Sequence, residues 1–333
     1  MGTEIINSQS YNLVGDIGGT NARFALVAPG KSELISIKAL SCSEFETIQE
    51  AIQSYLSSIN NVEISSSCIA SAGTTHLDVF KPANNDWVIN KKDVSSALNN
   101  IKVDWINDFS AQALATSTLS NDDLIEVNKG NPQVDRVRLV IGPGTGLGTC
   151  GLTKLSSGWK TLPAQGGHSD FAPNSKLEIK ILSILQKQFG HVAIERILSG
   201  PGIVNLYNVL CQINARDIVL KTPSEISSSA VSTNPDSMAM ETLTLFCRIF
   251  GSVTGSIALT TGCLGGIYIT SDLVRNFLDF FLKSDFLKSF EDKGRLDYYM
   301  RDIPIFISKK ANMGLIGSTY HINNQWIQKG FKV

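Results

Sequence analysis

The sequence has no clustered cysteines and almost no net charge, and each shortage removes a class of function. Its six cysteines, Cys42, Cys68, Cys150, Cys211, Cys247 and Cys263, are scattered, with no C-x-x-C pair and no histidine at metal-ligand spacing. Neither a zinc site nor a disulfide framework is expected, and free thiols fit a reducing compartment. A formal net charge of −1 leaves no global basic surface, so no nucleic-acid partner is expected. There is no low-complexity tract and no proline-rich linker. The segment Met1 to Tyr11 is polar and lacks a basic start followed by an apolar core, which is not a secretory leader pattern. A cytoplasmic location is the expectation.

Long hydrophobic runs are also scarce. The exception is Ile249 to Ser271, which is uncharged and contains Gly251-Ser252-Val253-Thr254-Gly255, the G-x-x-x-G spacing of membrane helix pairs. Arg248 stands at its start, and Gly262, Gly265 and Gly266 interrupt it after Thr261. It therefore reads as a buried helix followed by a strand, with the two glycines allowing close helix packing and no membrane partner.

What is present is a globular composition, 43% hydrophobic and 18% charged over 333 residues, enough for two domains with separate cores. Two glycine turns stand out. Gly15-Asp16-Ile17-Gly18-Gly19-Thr20 lies between the strand-like runs Leu13-Val14 and Arg23 to Val27. Gly142-Pro143-Gly144-Thr145-Gly146-Leu147-Gly148 lies between Val137 to Ile141 and Cys150 to Leu152. Glycines at this spacing let backbone N–H groups converge on an anion, so each turn suits part of a polyphosphate. Taken alone, such turns are more often plain hairpins.

Ser43-Glu44-Phe45-Glu46 has capping-box spacing, and Phe45, Ile48, Ile52, Tyr55 and Leu56 recur at helical intervals, predicting a helix from about Glu44 to Ser57. A buried strand around Cys68-Ile69-Ala70 follows. A similar order reappears later: strands near Leu139, Leu152 and Trp159, a helix from about Ser175 to Phe189, and a strand at Gly266 to Ile269. This is a weak duplication of pattern, not of residues. The polar stretch Ala115 to Asp122 marks the crossover between halves.

The blocks Val14-Gly-Asp-Ile-Gly-Gly-Thr-Asn-Ala-Arg-Phe24, Ile106-Asn-Asp-Phe109, Gly144-Thr-Gly-Leu-Gly148, Gly166-Gly-His-Ser-Asp-Phe-Ala-Pro173 and Glu195-Arg-Ile-Leu-Ser-Gly-Pro-Gly202 closely resemble the bacterial glucokinases. Phe290-Glu-Asp-Lys-Gly-Arg295 and Gly314-Leu-Ile-Gly317 continue the match, so it spans almost the whole chain in order. The resemblance implies an α/β fold of the actin-like, ribonuclease H-like class: a two-domain sugar kinase with a cleft between domains. Residues 1–117 plus 310–333 would form a small α/β domain and residues 118–309 a large one. It also implies ATP-dependent phosphorylation of glucose at O6, with glucose and ATP as partners, Mg²⁺ as cofactor, and a homodimer.

Residue roles follow from the same resemblance. Asp108 would be the general base that takes the O6 proton; its structural alternative is a cap on the helix beginning near Phe109. Asn107, Asp108, Gln165, His168 and Glu195 would bind the sugar. Asp16 would face Mg²⁺ through water, the alternative being an Asx-type bond that fixes the turn. Gly18, Gly19, Thr20, Asn21, Gly144, Thr145 and Gly146 would hold the nucleotide. For His168 the alternative is a structural histidine between two turns, and for Glu195 a solvated helix residue.

Two positions depart from the family pattern. Gln165 stands where glutamate is usual, which keeps size but loses charge. Thr270-Ser271-Asp272-Leu273 replaces a glycine pair beside the adenosine, so side chains there would crowd the nucleobase. Asp272 would add charge, bond a ribose hydroxyl, or cap a helix from Leu273 to Phe281. A kinase for another hexose or phosphoryl donor, and a non-catalytic sugar-binding sensor, therefore remain as alternatives. Phe277, Leu278, Phe280, Phe281 and Phe286 form an aromatic run that suits either core or interface, with the core the expectation.

Overall fold

The computed structural model describes residues 10–59, 62–83 and 85–328. The segment read above for a leader pattern lies outside the described residues as far as residue 9. In chain order the strands are β1 Ser10–Ile17, β2 Asn21–Val27, β3 Ile35–Ser41, β4 Glu63–Ser71, β5 Val79–Phe80, β6 Ile89–Asn90, β7 Val103–Asn107, β8 Leu124–Asn128, β9 Arg138–Pro143, β10 Leu147–Leu155, β11 Gly158–Ala164, β12 Ile267–Ile269 and β13 Ile305–Ser308. The helices are α1 Ile48–Ser57, α2 Lys91–Ala97, α3 Asp108–Thr116, α4 Lys176–Phe189, α5 Gly200–Ile213, α6 Pro223–Ala230, α7 Ser237–Thr261, α8 Asp272–Arg275, α9 Leu278–Lys283, α10 Phe286–Glu291, α11 Asp297–Arg301 and α12 Met313–Gln328.

Contacts divide the chain into two compact units. The first is residues 1–120, 154–163 and 310–333; the second is residues 121–153 and 164–309. One sheet runs β3-β2-β1-β4-β7 and the other β11-β10-β9-β12-β13-β8. Both contain a hairpin, β1 with β2 and β9 with β10, whose first strand then pairs in parallel with a later one, β4 or β12. The pattern duplication in the sequence is thus a repeated strand order.

Alternation along β1 decides what each side chain meets. Leu13 and Ile17 join the cluster that includes Ile48, Ile52 and Tyr55 of α1. Val14 faces the opposite way, with Leu315 and Ile322 of α12. Asp16 has the parity of Val14, so it emerges on the α12 face.

The predicted start of the first helix is four residues early. Ser43 lies in a 3-10 turn, Cys42–Glu44, and its hydroxyl bonds that of Ser41. Thr47 caps α1 instead, its hydroxyl accepting from the Glu50 N–H at 3.3 Å while the Glu50 carboxylate accepts from the Glu46 N–H at 3.0 Å. The helix expected from Leu273 to Phe281 is also two pieces, α8 and α9. The break lets Phe277 leave helical geometry and bury its ring edge-on to Phe246, 6.1 Å between centroids.

Helix α7 is, among the described residues, the one helix long and apolar enough to cross a membrane, and 67% of its most apolar window is buried inside the fold. Gly262, left-handed at φ 61°, ends it. Its partner is α10, whose Phe286 and Phe290 belong to the second unit's core together with Phe277 and Phe281. Phe286 stacks within 4.7 Å of Phe281 and 5.2 Å of Phe250. Close approach is possible because α7 presents glycines there: a Cβ on Gly251 would overlap the Phe286 carbonyl oxygen, and one on Gly255 would lie 2.6 Å from that of Phe290. Gly251→Ala is therefore expected to destabilise the second unit by about 1–3 kcal/mol through overpacking, read as a lower urea midpoint at unchanged m-value.

Candidate active site

In the first unit the parallel register places Ile17, Ser71 and Asn107 in one row at the carboxyl ends of β1, β4 and β7. Asp16 and Asp108 therefore emerge at the same sheet edge, where α/β sheets bind ligands. Burial first, and the Asp108 carboxylate second, raise the Asp16 carboxyl to about 6, with the Arg23 guanidinium, 3.8 Å away, opposing both. Burial also raises Asp108, against hydrogen bonds from the Phe109 and Asp108 N–H groups and the Asn107 side chain.

The helix-capping alternative for Asp108 is corrected by its neighbour. Asn107 is the cap of α3, its Oδ1 accepting from the N–H groups of Phe109 at 3.0 Å and Ser110 at 3.2 Å. Asp108 is the first helical residue, and its carboxylate accepts from the Phe109 N–H at 2.9 Å. The Asn107 carbonyl is thus committed to the helix, while its amide supports the Asp108 carboxylate. The first glycine turn closes on a backbone bond, Gly18 N–H to Asn21 O at 2.9 Å. The Gly18 amide expected to face phosphate is spent on that closure; Gly19 and Thr20 follow it at the tip, with Thr20 exposed. Behind the turn, Asn85 Nδ2 donates to Gly18 O at 3.2 Å.

Helix α12 delivers Gly314 against Asp16. A Cβ at Gly314 would lie 2.6 and 2.7 Å from the two carboxylate oxygens of Asp16, so only glycine leaves that carboxylate in place. The helix presents its positive end there, which favours the charged form.

In the second unit Glu195 links the expected parts. It lies in a 3-10 turn, Ile194–Arg196, not in a solvated helix. Its carboxylate sits 3.5 Å from His168 Nδ1, accepts from the Leu147 N–H at 3.5 Å, and would be met at 2.7 Å by a Cβ on Gly146. The His168 side chain, 63% exposed, is held by this carboxylate and is not a packed structural histidine. Gln165 is exposed and accepts the His168 N–H on its backbone carbonyl at 3.0 Å. Gly144 and Thr145 are exposed at the turn tip. As in the first turn, the leading amide is used internally, Gly144 N–H to Gly146 O at 2.8 Å.

In the segment that departs from the family pattern, the first two side chains turn inward and Asp272 stays exposed. Thr270 and Ser271 are 7% and 4% exposed, so they do not project as crowding groups. Ser271, not Asp272, caps α8, accepting from the Val274 N–H at 3.1 Å. Asp272 pairs with Arg275, whose guanidinium also donates to Ser308 O at 3.1 Å. The sequence reading missed Asn85, Ser271 and Gly314. Gly314 stood in a quoted block, but its contact with Asp16 joins residues nearly three hundred positions apart and leaves no local pattern.

Between its ordinary 3.8 and about 6, Asp16 in the folded chain holds a proton that the unfolded chain has released. Its contribution to stability therefore falls as pH rises through that window. Asp16→Asn is expected to stabilise the unliganded protein above pH 6, by at most about 3 kcal/mol, and to lose that advantage near pH 4, as measured by urea denaturation at both values.

With the geometry in hand, known proteins can be set beside it. The family model "Glucokinase" matches residues 13–325. A glucokinase of Hahella chejuensis is 43% identical over 320 residues, covering 96% of this chain and 99% of that one. A glucokinase of Cronobacter sakazakii is 38% identical over 312 residues, 94% of this chain and 97% of its own. The crystal structure of a glucokinase from an Antarctic psychrotroph superposes with a TM-score of 0.82 at 30% identity, covering 94% of this chain and 99% of that chain. A Streptomyces griseus ROK family glucokinase solved with glucose and AMPPNP shares the fold, with a TM-score of 0.62 at 19% identity over 93% of this chain and 98% of that chain. Matched over nearly its whole length, with the actin-like sugar-kinase fold, this chain belongs to the glucokinase family.

Proposed function

We propose that this protein is an ATP-dependent glucokinase that transfers the γ-phosphoryl group of ATP to O6 of glucose. The observation that carries the reading at the level of residues is Asp108, a half-buried carboxylate just after β7 with its pKa raised by desolvation and one oxygen fixed by the Phe109 N–H. A carboxylate made more basic by burial is suited to accept the O6 proton as that oxygen attacks the phosphorus in line. The Asn107 amide, His168, Glu195 and Gln165 would take the remaining sugar hydroxyls, each of which donates and accepts. Gln165 offers a neutral acceptor where a charged one would bind more strongly, so it tunes sugar affinity without removing a hydrogen-bonding partner.

The amides of Gly19 and Thr20 and those of Thr145 and Gly146 are the groups proposed for the phosphates, the leading glycine of each turn being engaged in closure. Asp16 fits a hydrated Mg²⁺. It is a partly buried carboxylate facing a second one, so a cation restores the charged form that burial disfavours. Among the described residues no group of three or more His, Cys, Asp or Glu could hold a metal ion, and a single carboxylate suits an ion that keeps most of its waters. When bound with ATP, Mg²⁺ neutralises phosphate charge. ATP as donor fits a cytoplasmic enzyme, and the homodimer implied by family likeness is checked by sedimentation.

A coupled assay for glucose 6-phosphate with Mg-ATP and glucose tests the reading. The parent protein is expected to turn over, and Asp108→Asn to lose roughly 10²–10⁴-fold in kcat while still binding glucose by calorimetry. Near-normal turnover in Asp108→Asn would reject the base assignment. A better rate with another hexose or donor would favour that pair instead. The kcat/KM profile of the parent should fall on the acid side at a pH above the ordinary carboxylate range, because both carboxyls are raised and act deprotonated.

A further inference from the structure

A turn that receives an anion must aim its N–H groups at the ligand and its carbonyls away, since a carbonyl oxygen repels phosphate. In the second glycine turn three carbonyls are engaged, those of Pro143, Gly144 and Gly146. Gly144 O accepts from the Gly200 N–H at 2.7 Å and Gly146 O from the Gly144 N–H at 2.8 Å. Pro143 O accepts from a side chain, the Ser271 hydroxyl, at 2.5 Å.

Ser271 is placed for this by the sheet. β12 runs parallel to β9 with Ile269 beside Ile141, and the Thr270 N–H continues the pairing to Ile141 O at 3.0 Å. The next residue therefore reaches the level of Pro143. Because Ser271 Oγ accepts from the Val274 N–H, its single proton is directed at Pro143 O. At 4% exposure it is screened from competing water. The first turn has a parallel device: Gly18 O takes the Asn85 amide, and Asn85 is itself fixed by the Trp87 N–H to its Oδ1 at 2.9 Å.

We propose that Ser271 is a positioning residue of the phosphoryl-donor site. By capturing the Pro143 carbonyl and capping α8 with the same oxygen, it locks the second glycine turn in the orientation that presents the Thr145 and Gly146 amides to nucleotide phosphates. The glycine expected here from the family resemblance has no hydroxyl, so the brace belongs to this chain's own sequence. The proposal rests on the nucleotide reading given above, and it reinterprets the departure at residues 270–273 as support for the donor site, not obstruction.

The test is Ser271→Ala in the full-length protein, with Ser271→Gly, which removes the same hydroxyl, in reserve if the alanine variant does not fold. The KM for ATP should rise about 5-fold, the value of one hydrogen bond, with the KM for glucose and kcat within 2-fold of the parent. AMPPNP affinity by calorimetry, without sugar, should fall by the same factor. An unchanged KM for ATP in an active variant overturns the brace alone. Equal rises in both KM values with a lowered melting temperature also overturn it, since that is general packing. A parent that binds no AMPPNP overturns the brace together with the kinase reading, whereas a parent that binds AMPPNP but makes no glucose 6-phosphate rejects only the latter, and the affinity change in Ser271→Ala still decides the brace.

Discussion

Asp16 and Asp108 are held at one edge of the first sheet against burial and, for Asp16, against the charge of its neighbour. Neither burden is accidental. Strand parity turns Asp16 toward α12, and the parallel pairing of β1, β4 and β7 carries Asp108 to the same edge. Around them the chain supplies partial relief: the Arg23 guanidinium, the N–H of Phe109, and the helix end at Gly314. The remaining penalty leaves both carboxyls with raised pKa values, which is the property on which the proposed roles of base and cation partner rest.

The two units use one strand order for different chemistry. Each places a hairpin turn beside the end of a parallel strand, and in each a side chain holds one carbonyl of the turn, Asn85 that of Gly18 and Ser271 that of Pro143. In the first the edge is completed by carboxylates, in the second by Glu195, which joins the turn at Gly146 and Leu147 to His168. Two different sets of polar groups thus arise from the same scaffold, because the side chains at the strand ends differ while the backbone geometry is repeated.

The sequence showed the strands beside each glycine turn, the buried character of Ile249 to Ser271, and the blocks that carried Asp16, Asp108, His168 and Glu195. Period-2 and helical periodicity survive in any context where one face is buried, so these were readable. Local capping was less so. Ser43 and Thr47 are both good caps, and the choice fell to Thr47 because Ser43 was drawn into a 3-10 turn. At Asn107-Asp108 both side chains are good caps as well, and the backbone entering from β7 gave the task to Asn107, freeing Asp108.

By itself the sequence determined which residue types stand where turns, helices and strands begin, because those preferences act over a few neighbouring bonds. It also determined family membership, through ordered blocks along nearly the whole chain. The tertiary structure decided what those residues do. It brought Gly314 against Asp16, Glu195 to Gly146 and His168, and Ser271 beneath Pro143. Each of these contacts depends on strand register and helix placement between distant segments, and both are set by how whole cores pack, which no local pattern encodes.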